Sequence, residues 1–114
     1  MINDEIRQRE VCKKWGAQFL YTKPFEKLGV AANAKGSAYP LNGLRHRPVG
    51  DTCGWYIWAG AKLSEDEDFF LPLHAAHLDE WCPDVKKYLG LGPGWRFIIA
   101  PHYEDVWFDP SLIF

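Results

Sequence analysis

Two apolar segments with nearly the same pattern stand out along the chain. Residues 54–59 read GWYIWA, and residues 94–99 read GWRFII. In the first segment both sets of alternate positions are largely apolar, which is typical of a central strand covered on two faces. We therefore predict core strands at residues 55–59 and 95–100, with a structural rather than a chemical role.

The end of the chain has the pattern of a β-hairpin. A short apolar run at residues 105–108 follows residues 95–100 after the connector at residues 101–104. A short connector between two strand-like runs favours antiparallel pairing. Residues 69–73 form a further apolar run after the acidic turn at residues 64–68, and we expect them to return to the core.

Helical signals predict three to four short helices. The first begins at Asn3, an acceptable N-cap, carries acidic residues in its first turn and ends near Gly16. Proline at the first helical position indicates two further starts, at Pro24 and Pro83. The predicted helices after the first cover residues 24–33, 74–81 and 83–89.

The region before the first core strand is rich in glycine and proline. We expect residues 34–54 to form a loop with at most a short strand at residues 44–47. A chain of 114 residues, 47% of them hydrophobic, should bury about two-thirds of its surface around one core. The predicted fold is a single α+β domain over residues 1–114, with a small, largely antiparallel sheet packed with three to four short helices.

Composition excludes several locations and partners. No apolar run approaches the ~20 residues that span a bilayer, so we expect no membrane partner. The charged N-terminus lacks the features of a signal peptide. The cysteines Cys12, Cys53 and Cys82 form no CxxC unit, which favours reduced thiols in a cytoplasmic protein. A net charge of −2 and a pI near 6.0 lack the basic character of a nucleic-acid binder.

Charge is divided unevenly along the chain. Residues 1–62 contain ten Lys/Arg and five Asp/Glu, a formal +5, whereas residues 63–114 contain three and ten, a formal −7. Such asymmetry is compatible with a charged interaction surface, and an ordinary solvated surface is the simpler alternative. Whether the two signs separate in space depends on the fold.

Local clusters concentrate this charge. The planar fork of arginine in a basic loop suits the recognition of carboxylates or partners, and an acidic turn can form a protein-binding patch. The alternative for these residues is exposed or ion-paired side chains without a partner. The predicted partner-binding residues are Arg45, His46 and Arg47 in the basic loop, Glu65, Asp66 and Asp68 in the acidic turn, and Glu104 and Asp105 near the C-terminus.

A small cysteine- or metal-dependent enzyme is the alternative function. His74, His77 and Cys82 could supply zinc ligands, with Cys53, His46 or His102 as a fourth. Cys53, with His46 nearby in sequence, could also form a thiol nucleophile. Histidines at a helix boundary and buried structural thiols account for the same residues, and neither a cysteine-protease signature nor a phosphate-binding fingerprint is present. We therefore predict no cofactor and no metal.

Four ordered motifs carry a resemblance to a known family. They are GLRHRP at residues 43–48, GDTCGWYIWAG at residues 50–60, PGWRF at residues 93–97 and EDVWFD at residues 104–109. In this region the chain resembles small bacterial immunity proteins of toxin systems, which are related to a domain of unknown function. The resemblance implies a cytoplasmic, non-enzymatic protein that neutralises a cognate toxin protein by binding it. We expect this protein to be a monomer or a homodimer.

Overall fold

The computed structural model describes residues 4–36, 38–64, 66 and 68–114, which contain one α-helix, six strands and four 3₁₀-helices. Helix α1 covers Asp4–Trp15, and the strands are β1 Lys27–Ala31, β2 Leu41–Arg45, β3 Thr52–Ala59, β4 Phe70–His74, β5 Trp95–Ala100 and β6 Tyr103–Phe108. The 3₁₀-helices are η1 Ala32–Ala34, η2 Ala75–Glu80, η3 Pro83–Tyr88 and η4 Pro110–Leu112. No helix among the described residues has the length and apolarity needed to cross a membrane.

The six strands of the described residues form one sheet in the order β4-β1-β3-β2-β5-β6. All neighbouring strands are antiparallel except β1 and β3, which are parallel. The prediction of an α+β fold with a largely antiparallel sheet is therefore confirmed in outline, although the sheet is mixed. The helical layer differs, because one α-helix and several short 3₁₀-helices replace the three to four helices predicted.

Both core strands predicted from the repeated pattern are present, as β3 and β5. They are not neighbours, because β2 lies between them, with Leu41 opposite both Ala59 of β3 and Ile99 of β5. The predicted hairpin is also confirmed, since β5 and β6 pair along their full length. The repeated pattern therefore marks two strands that pack on either side of a third.

That third strand, β2, forms within a region predicted to be a loop. Its Gly43 lies opposite Ile57 and Phe97, and a Cβ atom at Gly43 would overlap the Phe97 ring. Glycine is needed here because an aromatic ring approaches the strand closely, and not because the chain turns. The prediction for residues 34–54, a loop with at most a short strand at residues 44–47, is therefore wrong in extent. Strand β2 covers Leu41–Arg45 and overlaps the predicted strand only at residues 44–45, and β3 begins at Thr52.

The helix predicted for residues 24–33 is also wrong, because strand β1 occupies its centre. An added Cβ at Gly29 of β1 would come within 2.8 Å of the Tyr56 ring of β3. Val30 of β1 is fully buried. Pairing with β3 on one side and β4 on the other satisfies the main chain of β1, and this tertiary pairing outweighs a weak local preference for helix.

The remaining helix predictions are confirmed in place, although two of the helices are 3₁₀ rather than α. Residues 74–81 and 83–89 contain η2 and η3. Helix α1 ends at Trp15, before Gly16, whose φ of +66° is the left-handed conformation that commonly ends a helix. The predicted cap Asn3 lies outside the described residues.

Helices cover one face of the sheet, which we call the covered face. The main core lies there, between the sheet and α1, η2 and η3. A smaller buried cluster of Ala31, Leu44 and Trp58 occupies the opposite face. Edge strand β4 is only partly buried, so the apolar run at residues 69–73 returns to the core in part. The largest fully buried apolar side chains are Trp55, Phe97, Ile57, Leu78, Leu89 and Leu91.

Arg45 is buried in the main core, with only 1% of its surface exposed. Its Nε donates to the carbonyl of Cys53 at 2.9 Å, and its Nη1 donates to the carbonyls of Leu20 at 2.8 Å, Leu89 at 3.1 Å and Leu91 at 2.8 Å. Burial lowers the pKa of Arg45 from its ordinary value, yet a guanidinium remains charged in proteins. The expectation that Arg45 is an exposed residue able to contact a partner therefore does not hold.

Replacing Arg45 with methionine should destabilise the protein strongly. The carbonyls of Cys53 and Leu91, which accept from Arg45 in buried hydrogen bonds, would lose this donor, which should lower the free energy of unfolding by about 3 kcal/mol or more. Urea unfolding followed by tryptophan fluorescence measures this change. The matched control is Arg7→Met at an exposed position of α1, where we expect a change within about 0.5 kcal/mol. Equal losses in the two variants would refute the role of Arg45.

Candidate functional site

The face of the sheet opposite α1, η2 and η3 is covered only in part, and we call it the open face. The buried cluster on this face is flanked by the half-buried side chains of Phe69, Phe70 and Leu112. The pairing register places further side chains in one row across four strands. From β6 to β3 this row consists of Trp107, Arg96, Leu44 and Tyr56.

Aromatic rings in mutual contact line the open face from β3 to β4. Tyr56 and Phe70 meet edge to face with ring centroids 5.1 Å apart, and Phe70 also contacts Trp58 with a centroid separation of 6.2 Å. The His46 ring extends the series, with its centroid 5.6 Å from that of Tyr56. Tyr56 is 38% exposed. Contacts with the neighbouring rings fix the orientation of its exposed side chain.

Arg96 is the central charged residue of the open face. Its Nη1 lies 3.2 Å from an Asp109 carboxylate oxygen, and its guanidinium carbon lies 5.4 Å from the centroid of the Trp107 ring. The pKa of Asp109 is lowered by hydrogen bonds from Ser111 and Arg96, against the opposing effect of burial. Two buried N–H groups on this face, Trp58 Nε1 and Arg96 Nε, have no hydrogen-bond partner among the described residues. Such unpaired donors are uncommon in native proteins, so hydrogen bonding on this face is incomplete.

His46 and Arg47, two predicted partner-binding residues, hold the C-terminal turn against the border of the open face. His46 Nδ1 lies 3.1 Å from the carbonyl oxygen of Leu112, and Arg47 Nε donates to the carbonyl of Ile113 at 3.3 Å. Because a carbonyl oxygen only accepts, the contact assigns the His46 proton to Nδ1. Both side chains therefore have a structural contact as well as a place beside the aromatic rings.

Strand alternation separates Glu104 from Asp105. Asp105 is paired with Ile98 and lies on the open face, whereas Glu104 is paired with Ile99 and contacts α1 and η3 on the covered face. These two adjacent carboxylates therefore belong to different surfaces.

The acidic turn precedes edge strand β4. The main-chain N–H of Asp66 donates to Ser64 Oγ at 3.1 Å, and that of Asp68 donates to the Asp66 carboxylate at 3.0 Å. Glu65, the third predicted residue of this turn, lies outside the described residues. Since the next residue, Phe69, packs on the buried cluster of the open face, the turn borders that face at the edge opposite β6.

Glu104 lies in a cleft of about 560 Å³ between η3 and the β5–β6 turn, which we call the Tyr88 cleft. One Glu104 oxygen accepts a hydrogen bond from the Tyr88 hydroxyl, and the other lies 2.6 Å from Lys14 Nζ. Burial alone would raise the pKa of Glu104, but the hydrogen bonds from Lys14 and Tyr88 outweigh burial and lower this pKa. Burial, followed by the bond to Glu104, raises the pKa of Tyr88. Glu104 is thus part of a second site, away from the open face.

The residues considered for enzyme chemistry do not converge. Cys53 is fully buried in the core of the covered face, whereas His46 packs against Tyr56 on the open face. Burial raises the pKa of Cys53, which disfavours the reactive thiolate. The His74 and His77 rings lie 5.8 Å apart, but in the part of the chain that the structure describes, no group of three His, Cys, Asp or Glu could hold a metal ion.

The sequence prediction missed the open face and Arg96. Alternation along β3 does separate Tyr56 and Trp58 from Trp55 and Ile57, so the composition of this face could be predicted. Which of the two faces the helices cover depends on the packing of α1, η2 and η3, which the local pattern does not contain. The sequence contains no local signal for Arg96, because its partner Asp109 becomes a neighbour only when β5 and β6 pair.

A comparison with protein-family models matches residues 7–109 to the Imm33-like domain. Comparisons with curated proteins and with solved structures gave no match. Because the family match covers most of the chain, the protein belongs to the Imm33-like family, and its resemblance to bacterial immunity proteins is confirmed.

Buried thiols predict a loss of stability at alkaline pH. Burial raises the pKa of Cys12 to about 11 and that of Cys82 to about 12, from 9.0. Above pH 9.0 the unfolded chain therefore releases thiol protons that the folded protein retains. The contribution of the protonated thiols to the free energy of unfolding is complete below pH 9.0 and decreases as the pH rises. The free energy of unfolding should fall by about 1 kcal/mol per thiol between roughly pH 8 and pH 10.

Denaturant titrations at these two pH values, on the unmodified protein and on Cys82→Ala, check the expectation. The variant should lose about 1 kcal/mol less between the two pH values. Each protein is compared with itself, so any general destabilisation by the substitution cancels. An identical pH dependence in the two proteins would show that the Cys82 thiol does not titrate differently on unfolding.

Proposed function

We propose that this Imm33-like protein is an immunity protein that neutralises a cognate bacterial toxin by direct binding, without catalysis. The match of residues 7–109 to the Imm33-like domain is the observation that carries the proposal. The position of Cys53 and His46 on opposite faces supports it, since a thiol–imidazole pair is not assembled. We further propose that the protein acts in the cytoplasm, as a monomer or homodimer, and that its partner is the toxin protein rather than a nucleic acid.

We propose the open face as the toxin-binding surface. Tryptophan, tyrosine and arginine supply most of the binding energy at protein interfaces, and this face presents Trp107, Tyr56 and Arg96. Trp107 is 36% exposed and Tyr56 is 38% exposed. Contacts with Arg96 and Phe70 hold these two rings in place, so little side-chain freedom would be lost on binding.

Charged residues around the open face would set the rate and specificity of association. They include most of the residues predicted from sequence, whereas Arg45 is buried and Glu104 belongs to the Tyr88 cleft. Glu65 is kept as a candidate because it is adjacent in sequence to Asp66. The proposed border residues that the structure describes are His46, Arg47, Asp66, Asp68 and Asp105.

The open-face contact can be tested with Trp107→Ala. We expect this variant to bind the cognate toxin about tenfold more weakly or worse, because a rigid aromatic contact is removed. Calorimetry measures the affinity, and survival of cells that co-express the toxin measures protection. The matched control is Phe25→Ala, which removes a 70% exposed ring from the turn before β1 and should change neither readout.

The possible outcomes test the proposed function and the proposed binding surface separately. If the unmodified protein neither binds the toxin nor protects cells, the proposed function is wrong. If the unmodified protein binds and Trp107→Ala binds equally well, the function stands and the open face is the wrong surface. A urea unfolding curve of Trp107→Ala identifies any loss that is due to misfolding.

Reversing the border charges should change mainly the rate of association. In the triple variant Asp66→Lys, Asp68→Lys and Asp105→Lys, we expect a change of about tenfold in the association rate constant and a smaller change in dissociation. Surface plasmon resonance at low ionic strength measures both constants. Glu80→Lys on η2, on the covered side, is the control and should leave them unchanged. An unchanged association rate in the triple variant would remove these carboxylates from the interface.

A further inference from the structure

The Tyr88 cleft has the size of a ligand site and a mainly polar lining. Its volume of about 560 Å³ lies within the ~300–1,000 Å³ typical of small-ligand pockets. Arg7 of α1, Lys87 of η3 and His102 of the β5–β6 turn line it, together with tyrosine rings. Because Glu104 and Ile99 contribute from the covered face, the cleft is separate from the open face.

At the floor of the cleft, both oxygens of the Glu104 carboxylate contact other side chains. Glu104 accepts from Tyr88 through one oxygen and pairs with Lys14 through the other. The hydroxyl proton of Tyr88 is directed to Glu104. The positive charge of Lys14 therefore neutralises the negative charge of Glu104, and together with Tyr88 they form a fixed base for a ligand.

The wall of the cleft contains a second tyrosine–carboxylate pair. The Tyr39 hydroxyl donates to Asp84 Oδ2 at 2.9 Å. This bond occupies the Tyr39 proton and one Asp84 oxygen, and leaves the Tyr39 ring 38% exposed. The wall thus offers mainly an aromatic surface.

Free positive charge remains at Arg7 and Lys87. Neither side chain has an ion-pair partner among the described residues. Lys14 lies two helical turns after Arg7, and its contact with Glu104 shows that this side of α1 faces the cleft. The Lys87 ammonium lies 5.3 Å from the centroid of the Tyr88 ring. Arg7 and Lys87 therefore supply donors without an ion-pair partner among the described residues, although Lys87 also lies close enough to Glu104 to help lower the pKa of that carboxyl group.

We propose that the Tyr88 cleft binds a carboxylate carried on an apolar or aromatic body. Arg7, Lys14 and Lys87 against Asp84 and Glu104 give a formal charge of +1, which one carboxylate neutralises and a dianionic phosphate group would exceed. The planar guanidinium of Arg7 can hold both oxygens of a carboxylate. The exposed rings of Tyr39 and Tyr103 would flank the body of the ligand.

The carboxylate could come from two sources with the same chemistry. One is a free organic acid. The other is an acidic side chain of a partner protein, in which case the cleft adds a contact to the proposed toxin complex and this part of the inference rests on the proposed function. The probes are chosen to distinguish the two.

Benzoate is the first probe, and benzamide is its neutral control of the same shape. In amide NMR spectra of the labelled full chain, benzoate should cause saturable shifts at residues 83–88 and 99–104, and benzamide should cause none. The double variant Arg7→Ala/Lys87→Ala should bind benzoate about tenfold more weakly, since two charge-assisted contacts are lost. Lys13→Ala, at an exposed position of α1, is the matched control and should bind as the unmodified protein does.

A glutamate with both main-chain ends blocked is the second probe. If it binds at least as tightly as benzoate, the site is assigned to an acidic protein side chain, and binding of benzoate alone assigns it to a free acid. The inference is overturned if benzoate causes no shifts, if benzamide causes the same shifts, or if the double variant binds benzoate as well as Lys13→Ala does. No toxin is present, so failure here is distinguishable from failure of the proposed function.

Discussion

The fold depends on Arg45, a buried arginine whose charge is stabilised by hydrogen bonds to main-chain carbonyls. None of the ion pairs among the described residues includes Arg45. Its acceptors include the carbonyl of Leu89, just after η3, where a helix end leaves carbonyls without intrahelical partners. The same carbonyl accepts from Trp55 Nε1 at 2.9 Å and from Thr22 Oγ1 at 2.6 Å. One junction therefore joins the segment after α1, strands β2 and β3, and the end of η3.

This junction lies on the covered face, but it also fixes what the open face presents. Successive side chains of a strand point to opposite faces, so clamping Trp55 and Ile57 in the core sets the direction of Tyr56 and Trp58 on the other side. The open face thereby has ordered aromatic rings, although among the described helices only η4 contacts its buried cluster, through Leu112. Alternation along β6 likewise places two adjacent carboxylates on opposite faces, with Glu104 in the Tyr88 cleft and Asp105 on the open face. Binding on one face and ligand capture on the other can therefore use adjacent residues of one strand.

Features that depend on neighbouring residues in the sequence could be predicted, whereas features that depend on tertiary contacts could not. The hairpin and both GW strands were predictable because alternation and short connectors are local signals. Strands β1 and β2 were not, because Gly29 and Gly43 are glycine for a tertiary reason: each lies beneath a ring from a neighbouring strand, Tyr56 and Phe97. The same applies to Arg45, since its acceptors lie far from it in sequence and its charge alone indicates a surface residue. The residues predicted from sequence for partner binding therefore lie mainly at the charged border of the open face and not among its aromatic rings; their role stays a prediction.

Some ion pairs join the basic and acidic halves of the chain. Lys14 from the basic half pairs with Glu104 from the acidic half, and Lys86 of the acidic half contacts Asp4 of the basic half at 3.2 Å. These two pairs bring the halves together across α1, η3 and β6. In the proposed interactions, the charges available to a partner are those without an internal ion pair, and not the totals of the two halves. On the side of α1 and η3 these include Arg7 and Lys87, and on the open face they include Asp105.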